Sequence, residues 1–402
     1  MIGRLGMIWS DNLELRDNTG WFGGGEINAL FQADFVSEKY KLLTPFEDDK
    51  ILGVRRYTIC KWLHNKVFCF PIYGDYIKVY HLDQCIWSQI DIENPEDVQR
   101  MRFSDALIYD GKIYGFTRGL RAIVEIDPER EELCNYIYIP EDLGMLSSNC
   151  LQHHNLIYCI FGSSRSLCEI NVETEEINLY DVPFDVKGIN TINLVGEEEF
   201  WFSGFEKIIY IWNKRTDRKT TLYLPKEFGN YRVDDNKKLI LDYGSMENED
   251  VIFIKSIDLG DNIWFIPFRS NNIVYVNKKT YEMAMLEIDG EKEDCDSWNR
   301  KMNHKYLVEY IRDERYIGLY SLKKSGLLEI DTHTYSVREK RFELDTESVE
   351  RLKELILRKN IVINDREEIH KRIFIEICGD RNKYNIKNQD IGGKIYRNLC
   401  GI

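Results

Sequence analysis

The 402-residue sequence predicts an all-β protein, a β-propeller of about seven four-stranded blades with a short α-helical C-terminal tail. Three observations carry this prediction. One order of elements recurs along the chain, aromatic residues make up 13% of it, and proline occurs only 8 times. Internal repetition at this chain length indicates a repeat architecture rather than one ordinary core. The abundant aromatic side chains favour pleated strands.

Each repeat contains a turn, an apolar run with an aromatic residue, a polar turn, a second apolar run that ends in Asp or Asn, and a third run. The third repeat contains these elements as a turn at Asp110–Lys112, then the runs Ile113–Phe116, Ala122–Asp127 and Leu133–Ile139. Polar and apolar residues alternate in such runs, which is typical of half-buried strands.

The residues that close the second run set the period of the repeat. They are Asp34, Asp83, Asp127, Asn171, Asn213, Asn277 and Asp331, with spacings of 49, 44, 44, 42, 64 and 54 residues. A propeller blade of four short strands takes about 40–45 residues. The two long spacings therefore predict insertions, near Pro225–Asp250 and Gly290–Asn303. Each closing side chain is expected to begin a turn by bonding the backbone two residues further on.

Two alternatives concern the architecture. A β-sandwich with an additional part also has turn signals every 8–12 residues, but it lacks a longer period that keeps one order of elements. The blade number is the second question, because Arg4–Trp9 is the best candidate for the innermost strand of the first blade and lies far from Trp21. Six or eight blades are the alternatives to seven.

Residues 1–345 are assigned to the propeller and residues 346–402 to a helical C-terminal extension. The first tail helix is predicted from the apolar face Val349, Leu352, Leu355 and Ile356, with Asp345 or Thr346 as N-cap. A second helix is expected from Asp365 and a third over Asn388–Leu399. These helices are expected to pack against the side or base of the propeller, or to form a docking element for another protein.

Charge and composition limit the classes of function. A net charge of −14 disfavours a nucleic-acid partner, which needs clustered Lys and Arg. The N-terminal residues lack the apolar core of a secretory signal, and no window has the roughly 18 apolar residues of a membrane-spanning helix. The expected location is therefore cytoplasmic, without membrane insertion. The ten cysteines form no CxxC pair and are expected to be reduced thiols.

The sequence predicts no cofactor, no metal and no catalytic residue. Metalloprotease, phosphate-binding and nucleophile-elbow motifs are absent. His153 and His154 are adjacent in a predicted hairpin, and neighbours in an extended chain point apart, so a shared metal ion is not expected. The acidic residues of the two insertions are expected to be solvated loops.

The run Asp110–Phe116 followed by Ala122–Asp127 resembles the broad superfamily of kelch-like and NHL- or YVTN-like propellers. The similarity spans about Trp21 to Leu344. Kelch blades carry a diglycine, which here occurs only in Gly23–Gly25, and the Trp-Asp of WD40 blades is approached only by Trp212 and Asn213. The resemblance therefore implies an architecture and no functional residues.

Basic residues recur in the turns between the second and third strands. Arg121, Arg165 and Lys207 precede the closing residue by six positions in three consecutive repeats, and Arg269 and Lys323 precede it by eight. Arg118 adds to this set, and Tyr76 offers a flat surface to a sugar or a peptide. These turns should share one face with the blade connections, where propeller-type ligand sites form. We therefore predict a positively charged rim, although Lys and Arg are also common at hairpin tips without any such role.

The sequence favours a non-catalytic binding or scaffold propeller whose loop-rich face recognises an acidic ligand or a partner protein. The expected partner is a protein, or an anionic small molecule or glycan. The alternative is an enzyme that acts on an anionic sugar or glycan at the mouth of the central channel. Two titratable groups that converge there with diverging pKa values would favour the enzyme.

Overall fold

The structure is a computed structural model. It describes residues 8, 10–46, 51–52, 56–72, 76–91, 102–117, 120–140, 143, 149–161, 165–186, 188–233, 239–242, 251–288, 305–321 and 326–358.

The described strands form seven four-stranded antiparallel blades in a ring, as predicted. Blades 1 to 3 contain β1 Glu14–Arg16, β2 Thr19–Gly23, β3 Ala29–Asp34, β4 Lys39–Pro45; β5 Ile59–Leu63, β6 Lys66–Phe70, β7 Ile77–His81, β8 Ile86–Ile90; β9 Phe103–Tyr109, β10 Lys112–Thr117, β11 Ala122–Asp127 and β12 Glu132–Tyr138. Blades 4 and 5 contain β13 Leu151–His153, β14 Leu156–Ile160, β15 Ser166–Asn171, β16 Ile177–Asp181; β17 Ile189–Val195, β18 Glu199–Gly204, β19 Ile208–Asn213 and β20 Arg218–Tyr223. Blades 6 and 7 contain β23 Phe253–Leu259, β24 Asn262–Pro267, β25 Asn272–Asn277, β26 Met283–Glu287; β27 Tyr306–Arg312, β28 Tyr316–Ser321, β29 Gly326–Asp331 and β30 Ser336–Lys340.

An extra hairpin separates blades 5 and 6. Its strands are β21 Asn230–Val233 and β22 Leu239–Asp242, which pair only with each other among the described strands. This hairpin lies in the first predicted insertion, which is thereby confirmed. The second predicted insertion, at 290–303, lies outside the described residues.

The inner strand of blade 1 lies later in the chain than the predicted Arg4–Trp9, of which only Ile8 is among the described residues. The strand is β1, which pairs with β2 through the register Arg16↔Thr19. The intervening turn is tight because Asp17 adopts a φ of 52°, the left-handed region that Asp tolerates better than most residues. With a two-residue turn, the wide gap in the sequence before Trp21 disappears.

The Asp and Asn residues that close the third strand form the predicted turns. Asp127 Oδ1, for example, accepts hydrogen bonds from the backbone N–H of Glu129 and Arg130, at 2.8 and 3.0 Å. Equivalent bonds to the second or third residue beyond are made by Asp34, Asn171, Asn213, Asn277 and Asp331. In five of these turns and that of Asp127, the residue four positions further has a positive φ: Glu38, Glu131, Glu175, Asp217, Tyr281 and Tyr335.

Blade 2 departs from this pattern. Its strand β7 ends at His81, two residues before the predicted Asp83, and the left-handed residue is Cys85, four positions after His81. The Cys85 N–H donates to the His81 carbonyl as the Glu131 N–H does to Asp127. Asp83 lies inside the turn and accepts a bond from the Gln84 N–H. The turn geometry thus fixes the blade register even where the strand-closing residue is neither Asp nor Asn.

In most blades the left-handed residue of this turn contacts the preceding blade, and we call this contact the outer-turn clasp. Its members are Glu38, Glu131, Glu175, Tyr281 and Tyr335. In blade 3, Glu131 lies 2.6 Å from Lys66 Nζ of blade 2. In blade 6, the Tyr281 hydroxyl donates to Glu199 of blade 5 at 3.0 Å. The clasp therefore links neighbouring sheets near their outer edges.

Two glycines bring the backbone of adjacent segments together. Gly23 and Gly204 each end the second strand of a blade. A Cβ at Gly23 would stand 1.6 Å from the Tyr57 carbonyl oxygen, and one at Gly204 would stand 1.9 Å from the Gly188 carbonyl oxygen. Any larger residue would push these segments apart. Gly23 thus has a packing role of its own, and the specific kelch or NHL relationship is not confirmed.

Among the described residues the apolar core is divided into seven clusters, and each cluster fills the interface between two consecutive blades. Between blades 2 and 3, for example, the rings of Phe70 and Phe103 pack with centroids 5.1 Å apart. Hydrophobic burial therefore holds the blades to one another all around the ring.

The chain leaves blade 7 and returns to blade 1. Strand β31 Glu343–Leu344 pairs in parallel with β4 as a fifth strand, and helix α1 Thr346–Arg358 follows. Asp345 caps the helix, since its Oδ1 accepts the Ser348 N–H at 2.7 Å, which confirms one of the two predicted N-caps. Leu352 and Ile356 are buried in the cluster between blades 1 and 7. Helix α1 thus packs on the side of the propeller.

The other two predicted tail helices lie outside the described residues, so the division at 345/346 remains a prediction beyond Arg358. Within the part of the chain that the structure describes, no helix is both long enough and apolar enough to cross a bilayer.

Candidate functional site

The two ends of the blades carry different connections. Because neighbouring strands are antiparallel, the turns between second and third strands lie at the same end as the connections from one blade to the next. We call this end the loop face. The remaining two turns of each blade lie at the opposite end, the turn face. Those of the predicted site residues that the structure describes belong to the loop face.

Three predicted basic residues occupy one structural position in consecutive blades. The carbonyls of Arg121, Arg165 and Lys207 accept hydrogen bonds from the residue that follows the outer strand, at 2.8, 2.7 and 3.0 Å. The donors are the N–H groups of Ile139, Val182 and Leu224. We call Arg121, Arg165 and Lys207 the basic arc. The six-residue spacing counted in the sequence therefore corresponds to one place in the fold.

The side chains of the basic arc are half-buried or exposed. The Arg165 side chain is 56% exposed, and its Nη1 lies 3.3 Å from Oδ1 of the fully exposed Asp185. Such an exposed pair contributes only about 0–1 kcal/mol, so a ligand can displace it. Lys207 Nζ donates to the Phe228 carbonyl at 3.0 Å, which holds the ammonium at the end of blade 5.

The structure places the other predicted residues differently. Asn271, not Arg269, holds the equivalent position in blade 6, where its carbonyl accepts the Ile288 N–H. Arg269 is only 8% exposed, with its guanidinium 5.0 Å from the Phe268 ring centre. In blade 1 the equivalent residue is Asn28, which is also buried. The described part of the predicted rim is thus an arc across blades 3 to 5.

Of the remaining predicted residues, Tyr76 lies half-buried directly before β7. Arg118 and Lys323 lie outside the described residues.

A buried carboxyl group near the centre of the ring was not predicted. Glu309 is the extra residue of a β-bulge in the inner strand β27, between Val308 and Tyr310. Its side chain is buried, and its Oε1 accepts the Ser10 N–H at 2.9 Å. Its Oε2 is buried without a hydrogen-bond partner among the residues that the structure describes.

The segment that contacts Glu309 joins blade 7 to blade 2. The Leu13 N–H donates to the Glu309 carbonyl at 2.7 Å, and the N–H groups of Asp11 and Asn12 both donate to the Thr58 carbonyl. The Asn12 side chain also exchanges two hydrogen bonds with the backbone of Cys60, at 2.8 and 3.1 Å. Residues 10–13 therefore bridge blades 7 and 2, the two blades that flank blade 1.

Burial raises the pKa of Glu309 well above its ordinary value of 4.5; the hydrogen bond from the Ser10 N–H opposes this rise, and the nearby Asp11 adds to it. The carboxyl group is therefore neutral at pH values at which an exposed glutamate is ionised. Because the group is sealed from solvent, it cannot meet a ligand at the channel mouth. Its role is structural, since it binds the segment that links blades 7 and 2. It does not support the hypothesis of an enzyme at the channel mouth.

On the turn face, His153 and His154 come together, which contradicts the prediction that they point apart. Their ring centroids are 4.3 Å apart. The reason is that His154 does not continue the strand: it lies in the turn between β13 and β14 with a φ of 54°. The premise of an extended chain therefore fails at this position.

No protein-family model and no curated protein matches the sequence. Several solved structures are similar in fold. A structure of U3-55K is 8% identical, with a TM-score of 0.55, and the match covers 78% of this chain and 89% of that one. A structure of RRP9 WD40 repeats is 8% identical, with a TM-score of 0.55 and coverages of 78% and 88%. A chain of a mitotic checkpoint complex is 8% identical, with a TM-score of 0.53 and coverages of 85% and 90%. At this identity the likeness concerns the propeller fold alone.

Proposed function

We propose that this protein is a non-catalytic binding or scaffold propeller, and that the basic arc on its loop face recognises an acidic segment of a partner protein. The observation that carries the proposal is the repetition of a cationic residue at one structural position in three consecutive blades. A single cation at a hairpin tip needs no explanation. Three cations in register across adjacent blades present a spaced set of charges to one extended ligand.

The chemistry of the arc suits carboxylate or phosphate groups. Each Arg guanidinium offers a planar fork of donors to such a group, and Lys207 adds a point charge. The net charge of the chain is −14, so the arc is a local region of positive potential on an acidic protein. An acidic ligand would be repelled by most of the surface and attracted here, which favours one mode of docking. The cytoplasmic location predicted from the sequence stays a prediction.

An acidic-ligand site on the basic arc can be tested by reversing its charges. We expect Arg121→Glu, Arg165→Glu and Lys207→Glu together to weaken binding to an array of acidic and phosphorylated peptides at least tenfold. Fluorescence anisotropy of labelled peptides at low salt measures this, because exposed charge pairs weaken as salt rises. Unphosphorylated Glu-rich peptides and phosphopeptides on the same array distinguish carboxylate from phosphate recognition.

The matched control reverses three exposed cations on the turn face: Arg130, Lys219 and Lys279, whose side chains are 73%, 42% and 84% exposed. Both triple variants change the net charge equally. Equal loss of binding in the two variants would reduce the effect to overall charge. Binding that is unchanged in the basic-arc variant would refute the proposal. Circular dichroism of each variant establishes that the fold is kept.

A further inference from the structure

In blades 4 and 5, the turns between the first and second strands lie next to each other on the turn face. They bring together three side chains of the types that bind metal ions. His153 ends β13, His154 lies in the turn that follows, and Glu197 lies in the equivalent turn between β17 and β18 of blade 5. Each residue offers one donor atom, and these atoms all lie within 4.8 Å of one another. His153 Nε2 and Glu197 Oε2 are already in contact at 2.8 Å.

We propose that His153, His154 and Glu197 bind one transition-metal ion of the Zn²⁺ class and so link blades 4 and 5. Zn²⁺ binds imidazole nitrogen and carboxylate oxygen at about 2.0–2.2 Å, which sets tetrahedral donors about 3.3 Å apart. The observed separations of 2.8 Å and up to 4.8 Å bracket that value. His154 and Glu197 are exposed, so their side chains can adjust without disturbing a packed core.

The donor set selects among metals. Two imidazoles and a carboxylate suit Zn²⁺, Ni²⁺, Cu²⁺ and Co²⁺, whereas Mg²⁺ and Ca²⁺ favour all-oxygen sites. Three protein ligands leave at least one position to water or to a ligand group of a partner. The structure places this site on the turn face, opposite the basic arc, so it does not depend on the function proposed for the loop face.

Side-chain hydrogen bonds surround the turn that carries the two imidazoles. In the turn itself, the Gln152 side chain donates to the His154 carbonyl at 3.4 Å, and Asn155 donates to Glu173 at 3.3 Å. These bonds restrict the conformations of the turn, so less ordering is needed when a metal ion binds.

The test is isothermal titration of the full chain, without a polyhistidine tag, with ZnSO₄, NiCl₂ and MgCl₂ under reducing conditions. We expect one equivalent of Zn²⁺ or Ni²⁺ to bind and Mg²⁺ not to bind. His153→Ala, His154→Ala and Glu197→Gln should each weaken binding at least tenfold. Binding should raise the melting temperature of the wild type and leave that of the variants unchanged, because only the folded chain brings the two blades together.

The control variant is His64→Ala, which removes an exposed histidine from the first turn of blade 2. It should bind Zn²⁺ as the wild type does. Absence of Zn²⁺ and Ni²⁺ uptake by the wild type would overturn the proposal. Uptake that persists in all three ligand variants would also overturn it and would place the ion at another site. A mixed result, in which only His153→Ala matters, would indicate a single-histidine surface contact and contradict the three-ligand site.

Discussion

Glu309→Gln is expected to stabilise the propeller at neutral and alkaline pH, although it changes only one atom of a buried side chain. The amide oxygen of glutamine can accept the Ser10 N–H as Oε1 does. The amide NH₂ then replaces the oxygen that lacks a partner among the described residues. Glutamine is neutral in both the folded and the unfolded state, so folding of the variant no longer requires this side chain to take up a proton at neutral or alkaline pH.

The sign of the pH effect follows from the raised pKa. The folded protein holds the Glu309 proton more tightly than the unfolded chain does. The stability that this proton gives is complete below the ordinary pKa of 4.5 and is lost as the pH rises toward the folded pKa. Over that interval the free energy of unfolding should fall by up to about 1.4 kcal/mol per pH unit relative to Glu309→Gln.

Urea unfolding of wild type and Glu309→Gln between pH 4 and pH 9 measures this difference. Glu314→Gln serves as control, because Glu314 is exposed in the turn after β27. It should follow the wild-type curve. If the difference between wild type and Glu309→Gln did not grow with pH, the carboxyl group would not be neutral in the folded protein.

Leu352→Ala is expected to lower the free energy of unfolding by about 2–5 kcal/mol, the usual cost of a large cavity in a packed core. Leu352 of α1 is fully buried against the cluster between blades 1 and 7. The loss of stability should be concentrated at the junction of blades 1 and 7, because α1 directly follows β31, the strand that pairs with β4 of blade 1. Hydrogen exchange of β4 and β31 should therefore increase more than that of blades 3 to 5.

Glu350→Ala is the matched control on the opposite face of the same helix. Glu350 is exposed and forms an i,i+3 ion pair with Lys353 at 3.5 Å. We expect it to change stability by less than about 0.5 kcal/mol. A loss of similar size in both variants would mean that helix propensity, rather than packing at the junction of blades 1 and 7, determines the loss of stability.

The local features of the fold could be predicted from the sequence. An Asp or Asn at the end of a strand forms its turn through hydrogen bonds with residues two or three positions further along, as Asp127 does. The repeat can therefore be recognised from the sequence alone. The helix cap at Asp345 is local in the same way. The blade count and the position of the basic arc follow from these local signals.

The features that could not be predicted from the sequence depend on distant parts of the chain or on left-handed backbone conformations. Glu309 accepts a hydrogen bond from a residue 299 positions away, and no local pattern marks that contact. Strand β1 is three residues long and polar at both ends, so nothing in its composition separates it from a loop. The approach of His153 and His154 depends on the left-handed backbone at His154. Histidine adopts this conformation more often than most residues, but no pattern in the sequence predicts it at this position.

The outer-turn clasp has a direction, and this bears on how the protein is made. In blades 3, 4, 6 and 7 the clasp residue reaches back to a blade that the ribosome has already released. Glu38 of blade 1 is the exception, because its cationic partners Arg338 and Lys340 come 300 and 302 positions later. A nascent chain can therefore add sheet upon sheet in order of synthesis, while its first sheet waits with an unmatched carboxylate until the last one emerges.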